Sequence, residues 1–423
     1  MRSSPRSATL AQVLTVVAIA IILAPVAHAG AKYKVLHAFG SGSDGAIPSG
    51  PLTLGEKGDL YGSTGAGGGL GCDGYGCGTI FQLTRQANGA WGERSLHDFA
   101  DNGDSADPKG NLVLDTAGNL YGTLNGAGTG QGALFELSRG SSGWNLSLFW
   151  EHEEFSPGLL LNKAGDLYGF FGAGEYQAGA VGVLSRGSKG WNYALLYSFG
   201  GHGGGNGWDP EFPLSWDAQG NLYGTTLYGG NSYSSGHMKF CPDGSGCGVA
   251  FQMTPNSDGT WTYHVLHRFA NYKNDGRNPG GGLVVDASGN AYGVTVYGGV
   301  DGNGTVFEFT PSSDGHWKQT VLYDFPNCAD GCLPGNTIVF DKAGDLYGTA
   351  NGGVADCGGY TCGVIFKLTP QTGGRWKYSV VHKFNGADGG FPYGAILDDK
   401  GNLYGTTQAF GKYNAGVAFE ITP

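Results

Sequence analysis

Charge is scarce in this chain. Charged residues make up 14% of its 423 positions, and methionine occurs three times. A long-helix bundle or coiled coil draws on charged helix formers, so that class does not fit. Basic residues are fewest, 24 Lys and Arg against 35 Asp and Glu, and they form no run. With a net charge of −11, little can neutralise phosphates; nucleic acid is not an expected partner, and an anionic membrane surface would repel the chain. No Gly-x-Ser-x-Gly elbow, phosphate loop or His-Glu-x-x-His motif is present. Glycine, in contrast, is abundant: 82 of 423 residues, about 19% against a usual ~7%. It follows no three-residue period, which excludes collagen, and 40% hydrophobic with 13% aromatic residues argues against disorder. Turn-rich, aromatic-rich composition points to one large all-β array.

The N-terminus reads as a secretory signal over residues 1–29. Arg2 and Arg6 precede an apolar run from Val13 to Ala27, and Ala27-His28-Ala29 is a small-x-small cleavage site. The run is shorter than the ~20 residues of a spanning helix, and no second apolar stretch follows. A secreted, extracellular or periplasmic protein is expected, with no membrane span after cleavage. The eight cysteines fall as close pairs, Cys72/Cys77, Cys241/Cys247, Cys328/Cys332 and Cys357/Cys362. In an exported chain this favours local disulfides. A structural zinc site is the alternative, but it needs two pairs brought together, and these lie in different repeats.

The tetrapeptide Asp/Asn-Leu-Tyr-Gly, with Ala once for Leu, starts at Asp59, Asn119, Asp166, Asn221, Asn290, Asp345 and Asn402. Each copy sits in one unit, read best in the fifth. An apolar run at Gly281–Asp286 and a turn lead to AYGVTV, then a loop to GTVFEFT, then a turn to WKQTVLYDF. Period-two alternation makes these four antiparallel strands in a meander. The Asp-x-x-Gly-Asn turn supplies a side chain to cap backbone N–H groups and a glycine for positive φ. The glycine after Tyr is expected to let neighbouring backbones approach. Trp91, Trp144, Trp191, Trp261, Trp317 and Trp376 open the fourth strands, where a large ring can cover the seam between units. The last unit lacks its fourth strand, and Tyr33–Phe39 supplies an orphan one. Joining the two closes a ring and removes the terminal edges. The expectation is a seven-bladed β-propeller, four antiparallel strands per blade, over residues 30–423, as a monomer.

The motif D-x-x-G-N-L-Y-G-T-T, as at Asp217–Thr226, followed by C-G-[TV]-[VIA]-F-x-[LM]-T, as at Cys247–Thr254 and Cys362–Thr369, resembles the GloVer-type, or choice-of-anchor, tandem-repeat family of exported bacterial proteins. The resemblance spans Tyr33 to Pro423. It implies no particular activity. Members often append a surface-sorting segment, which is not seen here.

If the first strand of each unit is innermost, connections between units share one face with the loops between second and third strands. That face carries the length variation and all the cysteines, and rigid strands with variable loops are where binding surfaces usually lie. Departures from the repeat gather in blades three to five: Glu151, His152, Glu153 and Glu154, then Tyr176, His202, Trp208, Asp209 and Glu211, then Tyr228, Tyr233 and His237, and finally Tyr297. Aromatic rings beside carboxylates suit a glycan; an extracellular glycan or surface protein is the expected partner of a binding module. The alternative is a carbohydrate-active hydrolase or lyase using Glu151, Glu153, Glu154, Asp209 and His202. No cofactor is expected; calcium at Asp101–Asp107 is the weaker option, since that stretch lacks the register of a calcium loop. His37, His97, His267 and His382 share a slot that Tyr197 and Tyr323 fill elsewhere, which marks a packing or hydrogen-bonding position.

Overall fold

In the computed structural model, described residues are 31–422 except 41–42, 70–71, 73–74, 101–106, 127–131, 142, 153–154, 173, 175–177, 201–204, 231–240, 242–244, 271–274 and 354–355. They form seven antiparallel sheets, six of them meanders of consecutive strands, with two short pieces taking the innermost position in blades 1 and 5. Blade 7 is closed by the chain's first strand: Lys32–Ala38 pairs with Val417–Thr422, Lys32 opposite Thr422 and Ala38 opposite Val417. The protein is a seven-bladed β-propeller, as its repeats require.

Five of the seams carry the same pair of rings. The Tyr of the Leu-Tyr-Gly strand meets the Trp that opens the outer strand of the next blade. Trp91 packs on Tyr404 across the closing seam at 6.1 Å, Trp191 on Tyr121 at 6.0 Å, Trp317 on Tyr223 at 6.1 Å and Trp376 on Tyr292 at 6.5 Å, all edge-on. Edge-to-face contact sets the positive ring edge on the partner's face. The Tyr hydroxyl is fixed by the turn before it. Asp115 accepts the N–H groups of Ala117 and Asn119 on one oxygen, and the Asn119 amide and Tyr121 hydroxyl on the other, at 2.8–3.0 Å. Asp217, Asp286 and Asp398 repeat this set. Turn and seam are thus one device: the carboxylate shapes the turn and aims the ring.

The glycine after Tyr serves a different purpose from the expected backbone approach. A Cβ on Gly122 would stand 2.6 Å from the Phe135 ring, and Gly224 and Gly293 face Phe251 and Phe307 in the same way. Hydrogen at this position makes room for the phenylalanine of the neighbouring strand, and those rings are fully buried.

A second lock lies nearer the axis. Ile47, Asp107, Asp209, Asn278, Leu333 and Phe391 have φ between 53° and 61°, and each precedes a proline. A left-handed residue without glycine is strained. Here each donates its N–H to a carbonyl of the preceding blade: Ala415, Cys77, Ala178, Cys247, Asn303 and Cys362, at 2.7–3.2 Å. The following proline then rests on the glycine after that carbonyl, as Pro108 on Gly78 and Pro279 on Gly248. Cys77, Cys247 and Cys362 are disulfide-bonded, to Cys72, Cys241 and Cys357, and the fourth bridge joins Cys328 to Cys332. All four lie on the loop face, and three of them pin the strand end that carries the inter-blade hydrogen bond.

The shared histidine slot is structural. His37 meets Asp44 at 2.8 Å, His267 meets Asp275 at 3.0 Å, and His382 meets Asp388 at 2.9 Å. Asp-Gly recurs between blades because that carboxylate ties the loop back to its outer strand.

Candidate functional site

The innermost strands surround a central channel with a cavity of about 440 Å³. Its wall comes from blades 1, 2, 3, 4, 6 and 7. Most of it is apolar, with Pro51, Leu52 and Leu54, Leu112, Pro157, Phe212 and Pro213, Val339, and Ala395 and Ile396. Such a wall forms because the inner strand is the narrowest part of each blade, where proline and glycine let neighbouring backbones converge. The lining polar groups are partly spent on the scaffold. Asn111 donates to the Leu159 carbonyl at 2.9 Å and accepts its N–H at 3.0 Å, and the Thr53 hydroxyl bonds the Leu112 carbonyl at 2.5 Å.

Glu211 and Tyr393 are the two ionisable lining groups, each one residue past the proline that locks its blade. They approach from blades 4 and 7. Burial pushes the Glu211 carboxyl above the usual carboxylate range; Asp209 adds to this, and Lys109 works against it. Burial likewise raises Tyr393, with Glu211 contributing. Lys109 is already paired with Asp107 at 3.3 Å. Strand direction sets the polarity of the channel: Glu211 and Tyr393 lie toward the loop face, while Leu54, 37% exposed, lies next to the turns of the opposite face.

The loop-face residues singled out in the sequence are distributed as follows. Trp208 and Tyr228 come together, backbone to backbone at 3.1 and 3.3 Å, with their rings stacked at 4.8 Å. The Trp208 indole N–H donates to the Ser245 carbonyl at 3.1 Å. Arg277 covers the Tyr297 ring at 4.6 Å, one blade further on. Asp209 is one of the left-handed lock residues. Glu151 and His152, expected in the loop between blades 2 and 3, instead extend the outer strand Trp144–His152 of blade 2 by pairing with Ala133 and Gly132. Glu153, Glu154, Tyr176, His202, Tyr233 and His237 lie outside the described residues, as does most of the Asp101–Asp107 stretch. Among the described residues no group of three or more His, Cys, Asp or Glu side chains could hold a metal ion.

A family model matches the second part of the chain. Residues 242–423 carry the Gloeobacter/Verrucomicrobia repeat. That span starts in blade 4 and runs to the closing strand, and the same Asp turn, Leu-Tyr-Gly strand and seam Trp extend the architecture of the repeat through the earlier blades. No curated protein matches the sequence. Among solved structures, a protein from Lactobacillus plantarum is 14% identical with a TM-score of 0.50, covering 81% of this chain and 95% of that one. An ancestral GH74 enzyme is 9% identical with a TM-score of 0.56, covering 89% of this chain and 48% of that enzyme. The β-propeller domain of the trilobed protease from Pyrococcus furiosus is 9% identical with a TM-score of 0.49, covering 90% of this chain and 94% of that domain. At such identities the likeness concerns fold alone. For this repeat propeller, any site must be argued from its own residues.

Proposed function

We propose that this propeller is an exported binding module whose ligand site is the central channel, for a small molecule with an apolar body and one polar group. The observation that carries this reading is the 440 Å³ apolar cavity with Glu211 and Tyr393 at its loop-face end. Small-ligand sites are of this kind: concave, mostly apolar, with few convergent polar groups. Four disulfides support export, because such bridges persist in oxidising compartments. A glycan or surface protein on the loop face of blades 3 to 5 is the second reading, favoured by the ring pairs Trp208–Tyr228 and Arg277–Tyr297.

The test is calorimetry and ligand-observed NMR with the chain from residue 30 and small alcohols such as hexanol and cyclohexanol. One saturable site per chain, weakened by Leu54→Trp at the channel end, is expected. An absence of saturable binding by any such probe would reject the channel. A glycan array run with wild type and Trp208→Ala separates the second reading, since glycan binding lost in that variant alone would place the ligand on the loop face.

A further inference from the structure

The residue after each locking proline occupies one repeat position in six blades, as Ser49, Lys109, Glu211, Gly280, Gly335 and Tyr393, and Glu211 and Tyr393 line the cavity. Two members carry full charges. Lys109 is drawn off to Asp107 at 3.3 Å. Glu211 is the one carboxylate among the described lining residues, and no hydrogen-bond partner from the described residues holds it. Tyr393, on the opposite arc, brings the second polar group.

We propose that the channel takes a primary amine with a compact apolar body, its ammonium held by the Glu211 carboxylate and accepted by the Tyr393 hydroxyl oxygen. This deepens the channel reading and rests on it. The argument is one of charge balance in a poorly hydrated wall. A carboxylate among proline, leucine and phenylalanine is costly unless a cation meets it or a proton neutralises it. An anionic ligand would face Glu211 with Asp209 behind it, and the nearest lysine is occupied. A neutral ligand would leave Glu211 to take up a proton. An ammonium instead supplies the missing counter-charge, and its three donors can serve Glu211 and Tyr393 together. The net charge of −11 also draws cations toward the chain from solution. The ligand's apolar body then lies along Phe212, Leu112 and Val339 toward Leu54.

Proton linkage follows from the same geometry. The charged and titratable groups facing Glu211 are Asp209, Lys109 and Tyr393. Burial and Asp209 hold its carboxyl above the usual range, so an amine displaces a proton when it binds at low pH. Affinity for the amine should therefore rise with pH until Glu211 is ionised, and affinity for an alcohol should not.

The experiment is calorimetry on the chain from residue 30 with hexylamine, hexanol and hexanoate, at pH 5 and pH 8, for wild type and Glu211→Gln. Hexylamine is expected to bind at least tenfold tighter than hexanol at pH 8, with hexanoate weakest. Glu211→Gln should bring hexylamine to the level of hexanol, and unaltered circular dichroism and melting show that the variant is folded. Equal binding of hexylamine and hexanol in wild type, or an unchanged hexylamine affinity in Glu211→Gln, overturns the amine and leaves the channel standing. Failure of both hexylamine and hexanol to bind overturns the channel reading with it.

Discussion

Glu93 is a carboxyl placed where another blade uses an amide, and the closing seam should feel the difference. It is the third residue of the outer strand of blade 1, opposite Leu83; Gln319 holds the equivalent place in blade 5, opposite Phe309. Gln319 donates to Asp275 at 3.0 Å, the aspartate paired with His267. Glu93 lies beside Asp44, the aspartate paired with His37, and its Oε1 is buried with no hydrogen-bond partner among the described residues. Burial, then Asp44, then Asp98 push its carboxyl from 4.5 up to about 7. Between those values the folded chain binds a proton that the unfolded chain has lost. The stabilisation is full below about pH 4.5 and disappears as pH rises through about 7. That interval corresponds to about 3 kcal/mol. The side chain is only half-buried and solvent screens its neighbours, so about 1–2 kcal/mol should reach stability. In Glu93→Gln an amide replaces the ionisable group and restores the donor of Gln319. The variant should match wild type near pH 4 and exceed it at pH 8 by about 1–2 kcal/mol, a rise of about 1–3 °C for a domain of this size. Thermal and urea unfolding at both values measure this. A Glu93→Gln gain that is absent at pH 8, or equal at pH 4 and pH 8, would refute the reasoning.

Other perturbations probe the two locks. Ile47 is left-handed at φ 58° and 50% exposed; Ile47→Gly should relieve about 1–2 kcal/mol of strain and give back about 0.5–1 as unfolded-state freedom, for a net gain of about 0.5–1 kcal/mol in urea unfolding. Removing the bridge behind Asn278, with Cys241→Ala and Cys247→Ala together, opens a loop with a sequence separation of six and should cost about 2 kcal/mol by the same measurement; an unchanged unfolding midpoint would count against that bridge bearing on the seam. Trp317→Ala at the half-buried contact with Tyr223 should cost about 2–3 kcal/mol, and Trp317→Phe less than half of that.

What could be read from the chain alone divides along the line between local and distant contacts. The blade and its strand order follow from period-two alternation visible within a short window; the closing role of Tyr33–Phe39 is the one distant contact that showed, because the last unit lacks the strand that the N-terminal segment matches. Disulfide pairing was legible within a short window too, since each bridge spans four to six positions. The turn Asp was legible as a cap, but its bond to the Tyr hydroxyl six residues on, as from Tyr121 to Asp115, joins turn to seam only in three dimensions. The proline lock ran against local expectation, because a residue before proline is expected to be extended, and Ile47 or Leu333 carries no hint of positive φ. A signal was nevertheless present: Pro48, Pro108, Pro210, Pro279, Pro334 and Pro392 recur at the start of six repeats.

The channel illustrates the harder case. Leu54, Leu112, Glu211, Val339 and Ile396 share one cavity, yet nothing in their individual surroundings sets them apart from other inner-strand residues. Each blade contributes a few side chains, and only ring closure brings them together, so the site belongs to the circle and to no single repeat. Closure also explains why departures from the repeat are informative at one level and silent at another. On the loop face an insertion such as that between Tyr228 and Ser245 lengthens a connection without moving the strands it joins. One residue after the proline, a change from glycine to glutamate or tyrosine enters the cavity that six blades line, where charge has few places to go. The lock thus governs chemistry as well as stability. By fixing the backbone of each blade just before that position, it sets Glu211 and Tyr393 on the wall of one cavity, and a repeat built for symmetry comes to place two unlike groups there.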